Sequence, residues 1–180
     1  MPSAIKRGIK EAKGEIVSWL DCGLDMPPEK IPQMVRLLEK NDIVIGSTFV
    51  KGGKDARGVV YASFFSRLIN LFCQLVLGKE ITDYTSGFIV TKKKAIEGSR
   101  FEGAHGSYFI GLLYRAKKKG YKIIEVPYTL LPRQYGQSKI TGFWPYFKTG
   151  IVYLWTLFKL RFFARIIIDD PQGKSIYLKR

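Results

Sequence analysis

Helix-forming and strand-forming segments alternate through the first 46 residues of this 180-residue chain. A charged helical pattern over residues 3–12 precedes an apolar strand pattern over residues 15–20. Pro28 starts a second helix, and the apolar run of residues 42–46 then makes a second strand. Because this order is typical of parallel sheets with helices packed on them, the sequence predicts an α/β fold. Its length suits one domain.

Two carboxylates follow the first predicted strand. Asp21 comes directly after it, and Asp25 lies four residues further on. Ligands of open α/β sheets gather outside the carboxyl ends of the strands, and Mg²⁺ or Mn²⁺ prefers oxygen ligands. The residues alone also fit a second interpretation, in which Asp21 only accepts backbone hydrogen bonds at a strand end.

The charge of the chain indicates anionic partners. Lys and Arg number 30 against 15 Asp and Glu, giving a formal net charge of +15. Nucleic acid, anionic lipid headgroups and phosphorylated small molecules all fit such a charge. The aromatic residues lie in apolar helical segments, and the sequence contains no zinc-finger or RNP-type motif, so we expect no nucleic-acid partner.

Two apolar helical segments favour a membrane surface. In residues 59–77 a polar stripe recurs at helical spacing, which predicts an amphipathic helix, buried against the sheet or at an interface, rather than a spanning one. The stripe consists of Ser63, Ser66, Arg67, Asn70 and Gln74. Residues 144–160 are apolar around most of a helix and rich in aromatic rings, with Lys and Arg close by, which favours the headgroup region over a plain core.

Five short segments occur in an order that resembles a known family. They are AIKRGIKEAKGEIVSWLDCGLDMPPEKIP, DIVIGSTFVKGG, DYTSGF, GYKIIEVP and RQYGQSK. Together they resemble family 2 glycosyltransferases of the dolichyl- or polyprenyl-phosphate mannosyltransferase type. The resemblance implies a partial GT-A (Rossmann-like) sheet with flanking helices and a C-terminal amphipathic helix. We therefore expect residues 1–142 to form the C-terminal part of a GT-A domain, residues 143–165 a membrane-interface helix and residues 166–180 a tail.

The resemblance also implies an activity. Family members move a hexose such as mannose or glucose from a nucleotide sugar to polyprenyl or dolichyl phosphate, with Mg²⁺ or Mn²⁺ on the donor diphosphate. It places the chain as a peripheral protein at the cytoplasmic face of the membrane. Asp21 matches the first acid of the family's Asp-x-Asp motif, as a catalytic residue and metal ligand. Gly23 falls on the second acid, which leaves Asp25 as the nearby replacement ligand.

Two further loops match family motifs. The R-x-x-G-x-S-K loop is implied to bind donor or acceptor phosphates, and its matching residues are Arg133, Ser138 and Lys139. The D-x-T-S-G-F loop is implied to lie near the sugar and acceptor, and its matching residues are Asp83, Thr85, Ser86 and Gly87. Hydroxyl and carboxylate groups can hydrogen-bond sugar hydroxyls, and glycine permits close approach of the backbone.

Other positions depart from the family pattern. Thr48 stands where many relatives carry arginine, and Gly111 stands where relatives usually carry an acid. Family members open with an apolar strand and a DDGS-type turn that hold the nucleotide, and the resemblance begins after that half. The nucleotide-binding half then comes from a separately encoded N-terminal piece or from a start further upstream, or it is absent because the gene has decayed. The alternative is a non-catalytic, membrane-peripheral remnant or regulatory protein that keeps the fold.

Overall fold

A computed structural model describes residues 2–99, 101, 103, 106–134, 142–163, 166–169 and 175–178. The helices are α1 (Pro2–Glu11), α2 (Ile31–Leu37, preceded by a 3₁₀ turn at Pro28–Lys30), α3 (Val60–Leu77), α4 (Lys93–Ile96), α5 (Ser107–Lys118) and α6 (Phe143–Phe158, followed by a π-helical turn at Lys159–Phe163). The strands are β1 (Ile16–Trp19), β2 (Ile43–Ser47), β3 (Lys54–Asp55), β4 (Ile89–Lys92), β5 (Ile123–Pro127), β6 (Thr129–Leu130), β7 (Ile166–Asp169) and β8 (Ser175–Leu178).

The main sheet has four strands in the order β1-β4-β2-β5. Strands β2 and β5 are parallel, but β4 pairs antiparallel with both β1 and β2. The expectation of a parallel sheet is therefore wrong for β4, which enters between the two strands predicted first. Strands β1, β2 and β5 still point the same way, so their carboxyl ends meet at one edge of the sheet.

Helices cover both faces of this sheet. Alternate residues of β2 point to opposite faces and so enter two different cores. Ile43 and Ile45 pack into a core with α3, α5 and α6. Val44 faces a second core formed with Met34 of α2 and with Phe88. The fold is thus the predicted α/β arrangement, a partial GT-A sheet with flanking helices.

Helix α3 turns most of its polar stripe toward the protein, although Arg67 is exposed. Asn70 is buried, and its side-chain amide donates to the Ser66 carbonyl oxygen and to Thr85 Oγ1. The outer side of the helix instead exposes large apolar side chains, among them Phe64 at 60% and Leu75 at 63%. Among the described residues, α3 is the one helix long and apolar enough to cross a membrane by length and composition, and 28% of it is buried.

Helix α6 packs beside α3 and continues the exposed apolar side. Tyr146 of α6 contacts Tyr61 of α3 with ring centroids 5.3 Å apart, and Phe143 contacts Phe65 at 5.4 Å. Trp144 is 68% exposed, whereas Leu157 is buried in the core. The predicted helix over residues 144–160 is confirmed, and the division of the chain at residue 142 stays a prediction. The tail contributes an antiparallel hairpin of β7 and β8.

Candidate functional site

The loop after β1 carries the two predicted carboxylates. Trp19, the last residue of the strand, donates its indole N–H to the Tyr108 hydroxyl oxygen over 3.2 Å, which fixes the strand end against α5. Leu24 has a φ of 54°, a conformation unusual for a residue with a side chain, and it lies between Gly23 and Asp25. Asp25 is 5% exposed, whereas the Asp21 side chain is partly exposed.

Arg133 joins these two carboxylates from a segment more than 100 residues away in sequence. Its Nη2 donates to Asp21 Oδ2 over 3.3 Å, and its Nε donates to Asp25 Oδ2 over 3.3 Å. The backbone on either side is fixed too, since Leu131 N donates to the Asp25 carbonyl oxygen and Gln134 N to the Gly23 carbonyl oxygen. The structure therefore brings Asp21, Asp25 and Arg133 together.

The electrostatics of this cluster are only partly balanced. Burial and the neighbouring charge of Asp25 raise the pKa of Asp21, and the Arg133 guanidinium offsets part of that rise. Asp25 Oδ1 is buried and has no hydrogen-bond partner among the described residues. A buried carboxylate oxygen without a donor is an acceptor site for a cation or a ligand N–H or O–H.

Asp21 and Asp25 can hold a divalent cation only if the cation takes its remaining ligands from water or substrate. Within the part of the chain that the structure describes, no group of three or more His, Cys, Asp or Glu side chains could hold a metal ion. Asp21 and Asp25 supply carboxylate oxygens, and Mg²⁺ or Mn²⁺ characteristically takes its remaining ligands from water and substrate phosphates. The residues present therefore fit a metal that arrives with a diphosphate.

The loop of residues 82–88 holds Asp83 in the interior. Asp83 is 2% exposed, and its carboxylate accepts hydrogen bonds from the backbone N–H and hydroxyl of Thr48 and from those of Thr85. Burial raises the pKa of Asp83 to about 6, although the N–H groups of Thr48 and Thr85 favour the charged form. Thr48, which stands at the family's arginine position, thus anchors this loop.

Two residues that sequence reasoning missed also shape this loop. The Glu125 carboxylate accepts hydrogen bonds from the backbone N–H groups of Thr82, over 2.6 Å, and of Asp83, over 2.9 Å. Asn70 accepts the backbone N–H of Tyr84 over 2.7 Å. Glu125 lies in the GYKIIEVP segment and Asn70 in the polar stripe of α3, and in each case the signal was one polar residue in an apolar run.

Ser86 and Gly87 connect the loop to the carboxylate cluster. Burial and the charge of Asp83 raise the pKa of Tyr128, and a side-chain hydrogen bond with Ser86 lowers it in part. The charge of Asp25 also contributes to the raised pKa of Tyr128. Gly87 has a φ of 75°, and a Cβ added there would lie 3.9 Å from Met26 Cε.

Gly23 and Gly111, which stand where family members carry acids, are each in close contact with an arginine side chain. A Cβ built on Gly23 would be 3.0 Å from Arg133 Cγ and 3.1 Å from its Cδ and Nε. A Cβ built on Gly111, in α5, would be 3.0 Å from Arg115 Nη1. Space that an acidic side chain would need is therefore taken by a guanidinium group or its stem at both positions.

A groove runs from the loop after β2 to the exposed side of α3. Its inner part, about 260 Å³, includes Thr48, Lys54 and Arg67 in its lining, and its outer part, about 390 Å³, includes Val60 and Phe64. Asp55 lines both parts, but its carboxylate is held by Arg57 and by the Ser63 hydroxyl, which lower the pKa of Asp55 to about 2 despite burial. Lys54 and Arg67 thus make the inner part basic, and the outer part adds apolar side chains beside the same Arg67.

Of the three predicted phosphate-binding residues, only Arg133 lies within the described part of the chain. Ser138 and Lys139 lie outside the described residues, as does most of the loop that follows Gln134. Arg133 is the member of that motif whose geometry is known, and it contacts carboxylates. Its role toward phosphates stays a prediction.

Comparison with known proteins identifies what the chain is similar to. The model of the family described as "Glycosyl transferase family 2" matches residues 1–99. A dolichol-phosphate mannosyltransferase of Pyrococcus furiosus is 33% identical over 163 residues, which are 89% of this chain and 44% of that protein. An undecaprenyl-phosphate mannosyltransferase of Micrococcus luteus is 28% identical over 131 residues, covering 71% of this chain and 54% of that protein.

Solved structures show the same fold at lower identity. Glucosyl-3-phosphoglycerate synthase from Mycobacterium tuberculosis, in complex with Mn²⁺ and uridine-diphosphate-glucose, has a TM-score of 0.62 and 16% identity, covering 98% of this chain and 61% of that chain. A complex of the same enzyme with Mn²⁺, uridine-diphosphate and glucosyl-3-phosphoglycerate gives a TM-score of 0.63. The chain therefore spans less than two thirds of the length of each of these proteins.

Proposed function

Because the chain belongs to glycosyl transferase family 2, we propose that it carries out the transfer of a hexose from a nucleotide sugar to a polyprenyl phosphate at a membrane surface. The observation that carries this proposal is the meeting of Asp21, Asp25 and Arg133 at the carboxyl end of β1. Relatives named as polyprenyl-phosphate mannosyltransferases support the acceptor class and mannose, and a structural relative bound to uridine-diphosphate-glucose supports glucose as the other hexose.

In this proposal the carboxylate cluster meets the donor diphosphate. Asp21 and Asp25 would hold Mg²⁺ or Mn²⁺, and such an ion would supply positive charge to a diphosphate leaving group. Arg133 supplies a further cation with a planar, two-pronged set of donors, which matches phosphate oxygens. Ser138 and Lys139 complete the phosphate-binding motif in this assignment.

The loop of residues 82–88 positions the sugar and the acceptor. Thr85 and Ser86 offer hydroxyls, with Ser86 beside Tyr128, and Gly87 offers an open backbone near Met26. Asp83 acts from the interior by holding Thr48 and Thr85 in place. Such a loop keeps its polar groups fixed before substrate binds, which limits the entropy lost on binding.

The basic and apolar groove suits a lipid with a phosphate headgroup. Lys54 and Arg67 line its inner part and can meet a phosphate, while Val60 and Phe64 extend the outer part toward the exposed side of α3. An isoprenoid chain can lie along that apolar side without leaving the membrane. We assign the acceptor to this groove.

The chain is proposed to lie peripherally on the cytoplasmic face of a membrane. Ser66, Asn70 and Gln74 of the polar stripe of α3 bind the loop of residues 82–85, which leaves Arg67 and the large apolar side chains of the helix exposed to lipid. A net charge of +15 suits the anionic cytoplasmic leaflet, and Cys22 and Cys73 are free thiols, as is usual in a reducing compartment.

A nucleotide-binding segment completes the site in this proposal. Strand β1 is at the edge of the described four-stranded sheet, so further strands can pair with it there. The chain spans about half the length of the curated relatives that it matches, and we propose that a nucleotide-binding segment pairs with β1 at this edge. That segment would hold the base and ribose of the donor.

A sugar-transfer assay tests the proposal. The chain is mixed with vesicles that contain polyprenyl phosphate, radiolabelled GDP-mannose or UDP-glucose, and Mn²⁺ or Mg²⁺, with and without the nucleotide-binding segment of a family 2 relative. We expect label in the organic-soluble lipid fraction and a loss of about 100-fold or more in the rate for Asp21→Asn.

Glu39→Gln is the matched control. Glu39 is an exposed acid two residues after the end of α2, and α2 covers the other face of the sheet from α3 and α6. Its rate should stay within about twofold of the unmodified chain. Absence of lipid-linked label with both donors, from a folded chain and a folded segment, would contradict catalysis and support the non-catalytic alternative.

A further inference from the structure

Arg133 holds a fixed position between the two carboxylates. Two ion pairs of 3.3 Å fix its guanidinium, and backbone hydrogen bonds from Leu131 and Gln134 fix the chain on either side of it. The guanidinium therefore takes up carboxylate oxygens that a metal ion at this site would use.

Gly23 makes this position possible. A Cβ at residue 23 would lie 3.0 to 3.1 Å from three consecutive atoms of the Arg133 side chain, closer than ordinary van der Waals contact. A side chain at that position, such as the acid of the family motif, would therefore require the Arg133 side chain to shift by a few tenths of an ångström. Gly23 and Arg133 are thus two parts of one arrangement, and the loss of the acid is coupled to the placement of the arginine.

We propose that Arg133 and a divalent metal ion are alternative partners of Asp21 and Asp25, so that the metal binds only when the guanidinium leaves the carboxylates. The inference rests on the function proposed above for the same cluster and adds how metal access to it is controlled. Without a donor, Arg133 satisfies the carboxylates and the metal binds weakly. A donor diphosphate offers its anionic oxygens both to the Arg133 guanidinium and to the metal ion, which allows the metal to replace Arg133 at the carboxylates.

The unpartnered oxygen of Asp25 supports this competition. Arg133 uses Oδ2 of Asp25, while Oδ1 is buried without a donor among the described residues. A buried carboxylate that is only half satisfied retains affinity for a further cation. The arginine therefore protects the pair without removing its capacity for metal.

Binding of Mn²⁺ alone, without nucleotide or lipid, tests the competition on the 180-residue chain. Free Mn²⁺ is measured by electron paramagnetic resonance for the unmodified chain and for Arg133→Gln. We expect Arg133→Gln to bind Mn²⁺ at least about tenfold more tightly, because the competing cation is gone. Adding Asp21→Asn to that variant should abolish the gain.

Lys92→Gln is the matched control for loss of a positive charge. Lys92 forms an ion pair with Asp42. In the sheet it lies opposite Ile16, the first residue of β1, and Asp21 follows the other end of that strand. Its Mn²⁺ affinity should stay within about twofold of the unmodified chain. A gain in Lys92→Gln equal to that in Arg133→Gln would overturn the proposal, because it would show a general charge effect.

Gly23→Ala tests the same arrangement with the net charge unchanged. The added Cβ should move Arg133 and raise the Mn²⁺ affinity by a smaller factor, about two- to fivefold. If Arg133→Gln fails to fold, as judged by circular dichroism, this variant decides the question. Mn²⁺ affinity no higher than that of the unmodified chain, in either folded variant, overturns the proposal and leaves the transfer assay unaffected.

Discussion

Asp83 shows how a motif residue can act from the interior. Its match to the D-x-T-S-G-F motif predicted a role near the sugar and acceptor, and the structure surrounds its carboxylate with donors from Thr48 and Thr85. Contact with substrate stays a prediction. The measurable consequence of this burial is a pKa raised from 3.8 to about 6.

The raised pKa of Asp83 predicts a loss of stability as pH rises. Well below pH 3.8 the carboxyl is protonated in both folded and unfolded chains, so it adds no pH dependence there. Between the unfolded pKa near 3.8 and the folded pKa of about 6, only the unfolded chain ionises, which lowers the free energy of unfolding. The difference between the two pKa values corresponds to about 3 kcal/mol in total.

Urea denaturation of the unmodified chain and of Asp83→Asn, at pH values from 4 to 7.5, measures this effect. The free energy of unfolding of the unmodified chain should fall relative to the variant by up to about 3 kcal/mol. Comparing the two chains removes the contribution of every other titrating group. A difference that is constant across this range would contradict the assigned pKa.

At the same scale, the sequence assigned Asp21, Asp25 and Arg133 to one site, and the structure brings them together. What the sequence did not indicate is that the arginine binds the two carboxylates, because their separation in the chain hides the contact. Glu125 was missed for a similar reason, since its partners Thr82 and Asp83 are more than 40 residues away. Roles of the site residues stay predictions.

Among the elements, helix α3 is joined by several side-chain hydrogen bonds to the loop of residues 82–85. Helical periodicity predicted the helix and its polar stripe, but periodicity does not say which side faces the protein. Most of the stripe faces inward because Ser66, Asn70 and Gln74 bind groups of the loop of residues 82–85. Ser66, Asn70 and Gln74 therefore stabilise the loop, while the outer side of the helix exposes large apolar side chains such as Phe64 and Leu75.

Asn70→Ala should destabilise the fold by about 2–3 kcal/mol, because the buried N–H of Tyr84 would lose its acceptor. Gln74→Ala is the control on the same stripe, since Gln74 donates one longer bond of 3.3 Å to the Thr82 carbonyl oxygen. We expect it to cost less than about 1 kcal/mol. Equal losses in the two variants, measured by urea denaturation, would show that the Asn70 bonds carry no special weight.

Strand β4 marks the limit of prediction for elements. Strands β1 and β2 each coincide with a recognisable apolar run, and the structure has them within a few residues of the predicted ranges. Residues 89–92 hold only two apolar residues before a threonine and a run of lysines, too short to distinguish a strand from a loop. Pairing with both β1 and β2 decides its structure, and such contacts are not local.

Over the whole molecule, the exposed apolar surface of α3 and α6 is the dominant feature. The sequence predicted a membrane-surface helix in residues 143–165 from its aromatic and basic residues, and α6 exposes many of those rings. The exposed rings of α6 and the turn after it are Phe143, Trp144, Phe147, Trp155, Phe158 and Phe162. Side chains of this kind in two adjacent helices form a contiguous patch that fits a lipid interface.

Substitutions in this patch should weaken membrane binding and leave the fold intact. Phe64→Glu and Trp144→Glu each place a charge where a largely exposed ring now faces outward. We expect each to reduce affinity for lipid vesicles by about tenfold or more, and to change the free energy of unfolding by less than about 0.5 kcal/mol. Vesicle sedimentation and urea denaturation measure the two quantities.

Gln33→Glu adds the same charge on α2, which covers the opposite face of the sheet, and should bind vesicles like the unmodified chain. Vesicle binding that is reduced equally by all three substitutions would assign the attraction to net charge rather than to the patch.

The measurement that tests the central claim most directly compares lipids of equal charge. The chain is titrated with phosphatidylcholine vesicles that contain either polyprenyl phosphate or phosphatidylglycerol, adjusted to the same surface potential. If the groove recognises a phosphate on an isoprenoid, affinity should be about tenfold higher for polyprenyl phosphate, and Arg67→Gln should remove that preference. Equal affinity for the two kinds of vesicle would contradict recognition of a polyprenyl-phosphate acceptor.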